Sequence, residues 1–141
     1  MAITTTLTLK SDAGDLLTDE LSVVTSKDLH KAGTTTDLNQ VRMGRNDVPT
    51  GTSFDLLDAT TLAINKANKV YISNRSTDET YYIILIIDAK VIGRLYGGDW
   101  MFIPWNCDDA THDLEVTAYT GTNTIEWACF HEGETLPTQG D

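Results

Sequence analysis

The stretch Lys69–Asn106, KVYISNRSTDETYYIILIIDAKVIGRLYGGDWMFIPWN, decides the fold class. It contains the densest apolar run in the chain, Tyr81–Ile87. Turn residues interrupt it at Arg75–Glu79, Asp88–Lys90 and Gly97–Asp99. Branched and aromatic side chains fit a pleated surface, and Gly, Asp and Asn supply the tight turns between such runs. The segment therefore reads as four strands folded back on one another: Val70–Asn74, Thr80–Asp88, Val91–Leu95 and Trp100–Pro104. Pro104 has no N–H to give to a ladder, so its strand ends there or lies at a sheet edge.

Outward from this stretch the pattern continues. Downstream, Leu114, Val116 and Ala118 alternate with Asp113, Glu115 and Thr117, and Gly121-Thr122-Asn123 suggests a hairpin turn. Ile125, Trp127 and Cys129 then face inward, with Glu126 and Ala128 outward. Upstream, Ile3, Thr5, Leu7 and Leu9 alternate with Thr4, Thr6, Thr8 and Lys10, which predicts a half-buried strand. A second strand is centred on Leu21, Val23 and Val24, and a short third covers Leu38–Met43. Gly44-Arg45-Asn46-Asp47-Val48-Pro49-Thr50-Gly51 is the longest loop signal in the chain. Phe54–Ala67 fits a helical stripe capped by Ser53, but Thr60-Thr61 favours a strand followed by a linking segment. Many short strands at this spacing predict an all-β protein, an antiparallel β-sandwich of jelly-roll type. Residues 1–132 are expected to form a single sandwich domain with an N-terminal arm at 1–10, and 133–141 a flexible acidic tail. The expected core is Val70, Ile72, Ile83, Leu85, Leu114, Val116, Ile125 and Trp127.

At 141 residues the chain suits one domain with a core that needs no covalent staple. Ten Lys and Arg oppose 21 Asp and Glu, a formal charge of −11. Nucleic-acid binding draws on Lys and Arg to neutralise phosphates, so direct nucleic-acid binding is not expected, and the same charge opposes anionic membranes. The N-terminus, MAITTTLTLK, has neither a basic nor an apolar signal region, and the longest apolar run is far short of a membrane-spanning helix. A soluble protein made without a secretory signal is expected. Cys107 and Cys129 have no CxxC spacing; two free thiols are the favoured reading, with a disulfide between them as the alternative.

Few constellations suggest chemistry. Asp108, Asp109, His112 and Asp113 gather in one loop but match no EF-hand spacing. His131, Glu132 and Glu134 lie where the last strand runs out. Cys107 precedes His112 without a nucleophile-elbow signature. Gly97-Gly98 lacks the Lys and helix of a phosphate loop. Trp100, Phe102 and Trp105 fit either a sugar-stacking platform or a sandwich core. No catalytic, cofactor-binding or metal-binding residues are expected, and no enzyme activity.

From Val70 to Glu132 the order of motifs resembles the C-terminal half of small virion structural proteins of tailed bacteriophages, in particular capsid cement (decoration) proteins. The resemblance lies in the strand Tyr71-Ile72-Ser73-Asn74, in Gly97-Gly98-Asp99-Trp100 followed by Pro104, and in the segment Val116–Thr122 with its Ala118 and Gly121. It implies a non-enzymatic protein of the capsid surface, assembled in the host cytoplasm, whose partners are the major capsid protein and copies of itself as a dimer or trimer. Another virion component (neck, head fibre or tail) and a carbohydrate-binding or host-attachment module are the alternatives. Candidate interface residues are Ile3, Thr5, Leu7 and Leu9, which could add a strand to a neighbouring sheet, and Tyr82, Ile84 and Ile86. The last three follow from strict alternation: if Ile83 and Leu85 face the core, large apolar side chains must also line the outer face of that strand.

Overall fold

In the computed structural model of the chain, residues 3–14, 18–38, 40–59, 66–106 and 113–132 are described. Their contacts define two compact units, Met1–Asn39 and Gln40–Asp141.

The first unit contains strands β1 (Thr4–Lys10) and β2 (Ser22–Asp28). They pair antiparallel from Thr4↔Asp28 to Lys10↔Ser22. The predicted alternation is present. Leu7 and Leu9 lie opposite Thr25 and Val23 on one face, while Thr4, Thr6 and Thr8 lie opposite Asp28, Ser26 and Val24 on the other. Side chains reinforce the polar face: Thr4 Oγ1 donates to Asp28 Oδ1 at 2.6 Å, and the Thr6 and Ser26 hydroxyls are 3.0 Å apart. The expected half-burial is not realised. Every residue of β2 is exposed, and so is every residue of β1 except Thr5. Period two fixed the strand conformation and the two faces, but burial also requires a second layer, which a two-stranded ribbon does not supply by itself. Beyond the ribbon, Leu29 N–H donates to Ile3 O at 2.8 Å, and a single bridge joins His30 to Asp37.

Among the described residues, the second unit is an antiparallel β-sandwich of eight strands: β3 (Gln40–Val48), β4 (Ser53–Leu57), β5 (Lys69–Asn74), β6 (Tyr82–Ile87), β7 (Lys90–Tyr96), β8 (Trp100–Pro104), β9 (Leu114–Thr120) and β10 (Asn123–His131). One sheet has the order β3-β10-β5-β8 and the other β4-β9-β6-β7. This strand order is that of a jelly roll, in which successive strands pass back and forth between two sheets. Among the described strands of this unit, only β6 and β7 are consecutive in the chain and hydrogen-bonded to each other.

Two expectations change here. The Lys69–Asn106 strands do not fold back as one set: β5 pairs with β8 in the first sheet, and β6 pairs with β7 in the second. Nor does Gly121 close a hairpin, because β9 pairs with β4 and β6 while β10 pairs with β3 and β5. Both corrections have one cause. The core lies between the sheets, and chain segments that alternate sides enclose it from both directions.

A third correction concerns the predicted loop at Gly44. Residues 44–48 extend β3 along β10, each matched across the ladder, while Pro49, Thr50 and Gly51 form the expected turn. Gly44 lies against the Trp127 ring, where any Cβ would collide with it. Asn46 Oδ1 accepts from Trp127 Nε1 at 3.0 Å, Arg45 pairs with Glu126 at 3.4 Å, and Thr124 donates to Asp47 at 2.8 Å.

All eight predicted core residues are buried. Leu57, Leu95 and Trp105 join them in the same cluster. Burying each large aliphatic side chain is worth about 1.5–3 kcal/mol, so this row of contacts sets the register of both sheets. Pro104 ends β8, an edge strand, as its missing N–H requires. The β6–β7 turn places Asp88 and Ala89 at φ 52° and 58°. Two positive φ values suit the right-handed twist of a two-residue hairpin, though Ala tolerates them less readily than Gly. Residues 60–65 of the ambiguous Phe54–Ala67 segment and the 133–141 tail lie outside the described residues; Ser53–Leu57 is the strand β4.

Candidate functional site

The outer face of the β4-β9-β6-β7 sheet gathers side chains from three strands into one surface. Ile83 and Leu85 of β6 point into the core, so Tyr82, Ile84 and Ile86 point away from it and are half-buried. Tyr82 lies opposite Tyr96 of β7 and Thr120 of β9. Its ring is 5.0 Å from that of Tyr96 and stacks on Tyr119 at 5.8 Å, with 2° between the planes. The Arg94 guanidinium lies 4.8 Å from the centre of the Tyr82 ring and donates to the Tyr96 hydroxyl at 3.2 Å. These contacts hold the Arg94 pKa above its ordinary value, the Tyr96 hydrogen bond first and the electrostatic interaction with Tyr82 next. Tyr119 is 54% exposed.

Farther along the same face, Ile84 lies between Thr117 and Arg94, and Ile86 between Glu115 and Val91. At the far edge, Asp55 of β4 pairs with Glu115. Asp113 and Asp58 add to the negative charge around Asp55, whose pKa is raised by burial first and by those two carboxylates next. Tyr and Arg are the residue types most enriched at interaction hot spots, because they offer large contact area together with polar ends. Alternation alone located Tyr82, Ile84 and Ile86. Tyr96 and Tyr119 were missed, although the same parity argument, carried out from Leu95 and Ala118, places both on this face.

The opposite outer face, on the β3-β10-β5-β8 sheet, is apolar as well. Met43, Ala128, Tyr71 and Phe102 form one row across it, and the Phe102 and Phe130 rings are 6.4 Å apart. Trp100 is 55% exposed on the edge strand, whereas Trp105 is buried in the core. The three aromatic residues singled out from the sequence are therefore divided between surface and interior. Between the sheets, an open groove of about 340 Å³ is lined by Ile87, Lys90, Ile92, Pro104, Trp105 and Asn106.

The residues weighed for chemistry separate in the same way. His131 faces the interior at the end of β10 and is fully buried, with no hydrogen-bond partner at either ring nitrogen among the described residues. Its pKa is lowered by burial first and by Arg42 second. Glu132 accepts from the Ala67 N–H at 3.0 Å. Asp113 accepts from the Ala59 N–H at 2.6 Å and so fixes the chain leaving β4. Gly97 and Gly98 form a structural turn: Gly97 N–H donates to Tyr81 O and Gly98 N–H to Asn74 O, both at 2.9 Å. Cys129 is buried in the core. Cys107, Asp108, Asp109, His112 and Glu134 lie outside the described residues. Among the described residues, no group of three or more His, Cys, Asp or Glu side chains is arranged to hold a metal ion. No described helix is long and apolar enough to cross a membrane.

The sequence reading also missed a buried pair of asparagines. Asn74 Nδ2 donates to Leu95 O at 3.0 Å and to Asn123 Oδ1 at 2.9 Å, while its own Oδ1 accepts from Ser76 N–H. Asn123 Nδ2 donates to Thr120 O at 3.1 Å. This knot joins the ends of β5, β7, β9 and β10. It gives a structural reason for the Asn in Tyr71-Ile72-Ser73-Asn74.

The fold and these surfaces define a jelly-roll sandwich that presents aromatic sheet faces, together with a separate β-ribbon unit. No family model matches the chain, and no curated protein matches it. Among solved structures it is similar to a cupin protein from Bacteroides fragilis. The two share 17% identity with a TM-score of 0.37, covering 79% of this chain and 80% of that one. The jelly-roll assignment rests on the strand order, not on that similarity.

Proposed function

We propose that the protein is a non-enzymatic virion structural protein, a capsid decoration (cement) protein that binds the outer surface of a major capsid protein lattice and stabilises the head. The observation that carries this reading is the β1–β2 ribbon. A two-stranded hairpin is marginal in water, yet this one has seven residues per strand and is exposed on both faces. Its sides bear Leu7, Leu9, Val23 and Val24, and a two-stranded sheet leaves one ladder edge of each strand open. Such an element gains most by pairing with another sheet, and a capsid lattice would offer the same sheet edge many times over. In this reading Ile3, Thr5, Leu7 and Leu9 are the docking residues and the sandwich is the body that the ribbon anchors.

Deleting residues 2–10 should abolish incorporation into particles, and a stained gel of intact virions should show hundreds of copies of the full chain per particle. Unchanged occupancy of the deletion variant would overturn the arm, and a dozen copies per particle would move the protein to a neck or tail position. The 55% exposure of Trp100 favours one second reading, a carbohydrate-binding or attachment module. Quenching of tryptophan fluorescence by soluble sugars would support that alternative.

A further inference from the structure

We infer that two copies of the chain associate face to face through the β4-β9-β6-β7 sheet, with β6 lying along a two-fold axis. This goes beyond the capsid reading and does not depend on it.

The two outer sheet faces differ in how they treat their charges. On the β3-β10-β5-β8 sheet, Arg45 already pairs with Glu126 within the chain, and Asp47 accepts from Thr124. On the β4-β9-β6-β7 sheet, Arg94 and Glu115 both project from the outer face, and neither forms a salt bridge among the described residues. They stand on β7 and β9, on either side of β6. Two strand spacings, about 10 Å, keep them apart within one chain.

A two-fold axis parallel to β6 resolves both features of this face together. It sets Tyr82, Ile84 and Ile86 of one copy against the same residues of the other. It also lays β7 of each copy over β9 of its partner. Arg94 lies in the row of Thr117, one side-chain row from Glu115, so its row and the partner's Glu115 row are offset by about 7 Å along the strands, an offset that the long arginine side chain can span. Because the contact is isologous, the pair forms twice. The acidic patch around Asp55 explains the choice of a partner that brings a cation to this side of the sheet.

The face is small. Four strands about 4.8 Å apart and six residues long span roughly 20 Å by 20 Å, less than the ~800 Å² per partner of a standard stable interface. The association is therefore expected to be of micromolar strength, and to appear across a concentration series.

Sedimentation equilibrium of the full chain, from about 5 to about 200 µM, tests this. The wild type should shift from monomer towards twice the monomer mass. Ile84→Asp should remain a folded monomer by circular dichroism. Arg94→Glu and Glu115→Arg should each weaken association at least about tenfold, and the two together in one chain should restore it to within about threefold of wild type. A wild type that stays monomeric overturns the proposal, and so does a limiting mass of three or more chains. Failure of the double variant to recover also overturns it, because the charges would then not meet. Unfolding of Ile84→Asp overturns it as well, since the face would then be covered within the chain.

Discussion

The β1–β2 ribbon and the β6–β7 hairpin are both antiparallel strand pairs and end in different environments. In each, successive side chains take opposite faces; β1 sets Leu7 and Leu9 against Thr6 and Thr8, whereas β6 is apolar on both faces and its ladder with β7 shifts register between Leu85 and Ile86. In β6, Ile83 and Leu85 are within 1% of complete burial, because β5, β9 and β10 close over them from the facing sheet and from the side. In β1, Leu9 is 47% exposed. The difference shows what alternation encodes: it fixes which side chains share a face, and a second layer decides whether that face is dry. The strongest way to break the comparison is to remove the same group from each region. Leu85→Ala should cost about 2–5 kcal/mol in denaturant unfolding, the usual range for a buried Leu that leaves a cavity. A loss under about 1 kcal/mol would mean that the sandwich repacks around the gap, and the contrast between the regions would collapse.

Much of the sandwich was legible in the sequence because its strands carry their own evidence. Leu114–Ala118 and Ile125–Cys129 are one-sided in the sequence, and the structure buries the sides that alternation selects. Pro104 marked an edge by what it lacks. Three things were not legible, each because its information lies far away in the chain. Gly44-Arg45-Asn46-Asp47 looks like a loop by composition, and only Trp127, Glu126 and Thr124 make it a strand. The turn at Gly121 looks like a hairpin, yet Asn123 reaches back to Asn74 and turns the chain into the other sheet. The tyrosine ladder depends on a register that brings positions 82, 96 and 119 side by side. The candidate interface was read only where one strand sufficed, at Tyr82, Ile84 and Ile86.

His131 sharpens the contrast at its polar end. Strand parity places it inward, so it is buried at the end of a row that begins with Ile125, while His30 in the first unit keeps a solvent-accessible contact with Asp37 at 3.7 Å. Burial and Arg42 depress the folded-state pKa of His131 below its ordinary value of 6.5. In the unfolded chain the group takes a proton near pH 6.5, whereas in the folded chain it resists one. Its contribution is therefore fully present above pH 6.5 and declines as pH falls from there towards the folded pKa. Each unit of depression corresponds to about 1.4 kcal/mol. Asp55 acts in the opposite sense, since its raised pKa favours the folded state as pH falls into the carboxylate range. The His131 window therefore lies just below pH 6.5. Unfolding free energies at pH 7.5 and pH 5.5 should differ in the wild type, and His131→Phe should remove most of the difference. A variant that retains the full drop would assign the acid sensitivity to other groups.

The smallest expected effect on stability is also the most informative about the ribbon. Leu9→Ala removes an apolar side chain of the same size as Leu85, but from a position 47% exposed on a strand that is otherwise nearly all in solvent. Substitutions at such positions usually change stability by no more than about 0.5 kcal/mol, because little area is lost and no cavity forms. The melting transition of the sandwich, which belongs to the other compact unit, should be unmoved. Binding should behave differently. If the ribbon is an arm that buries its apolar face in a capsid sheet, Leu9 is desolvated only in the bound state. Its truncation should then lower particle occupancy while leaving the free protein as stable as before. Leu9→Ala and Thr8→Ala, one on each face of β1, separate face-specific docking from simple backbone pairing. Loss of occupancy with Leu9→Ala alone assigns the apolar face to the interface, and equal occupancy of both variants at the wild-type level would leave docking to the ladder edge. A destabilisation of the free protein by Leu9→Ala as large as that of Leu85→Ala would show that the side chain is already buried in solution, and would remove the premise on which the docking arm rests.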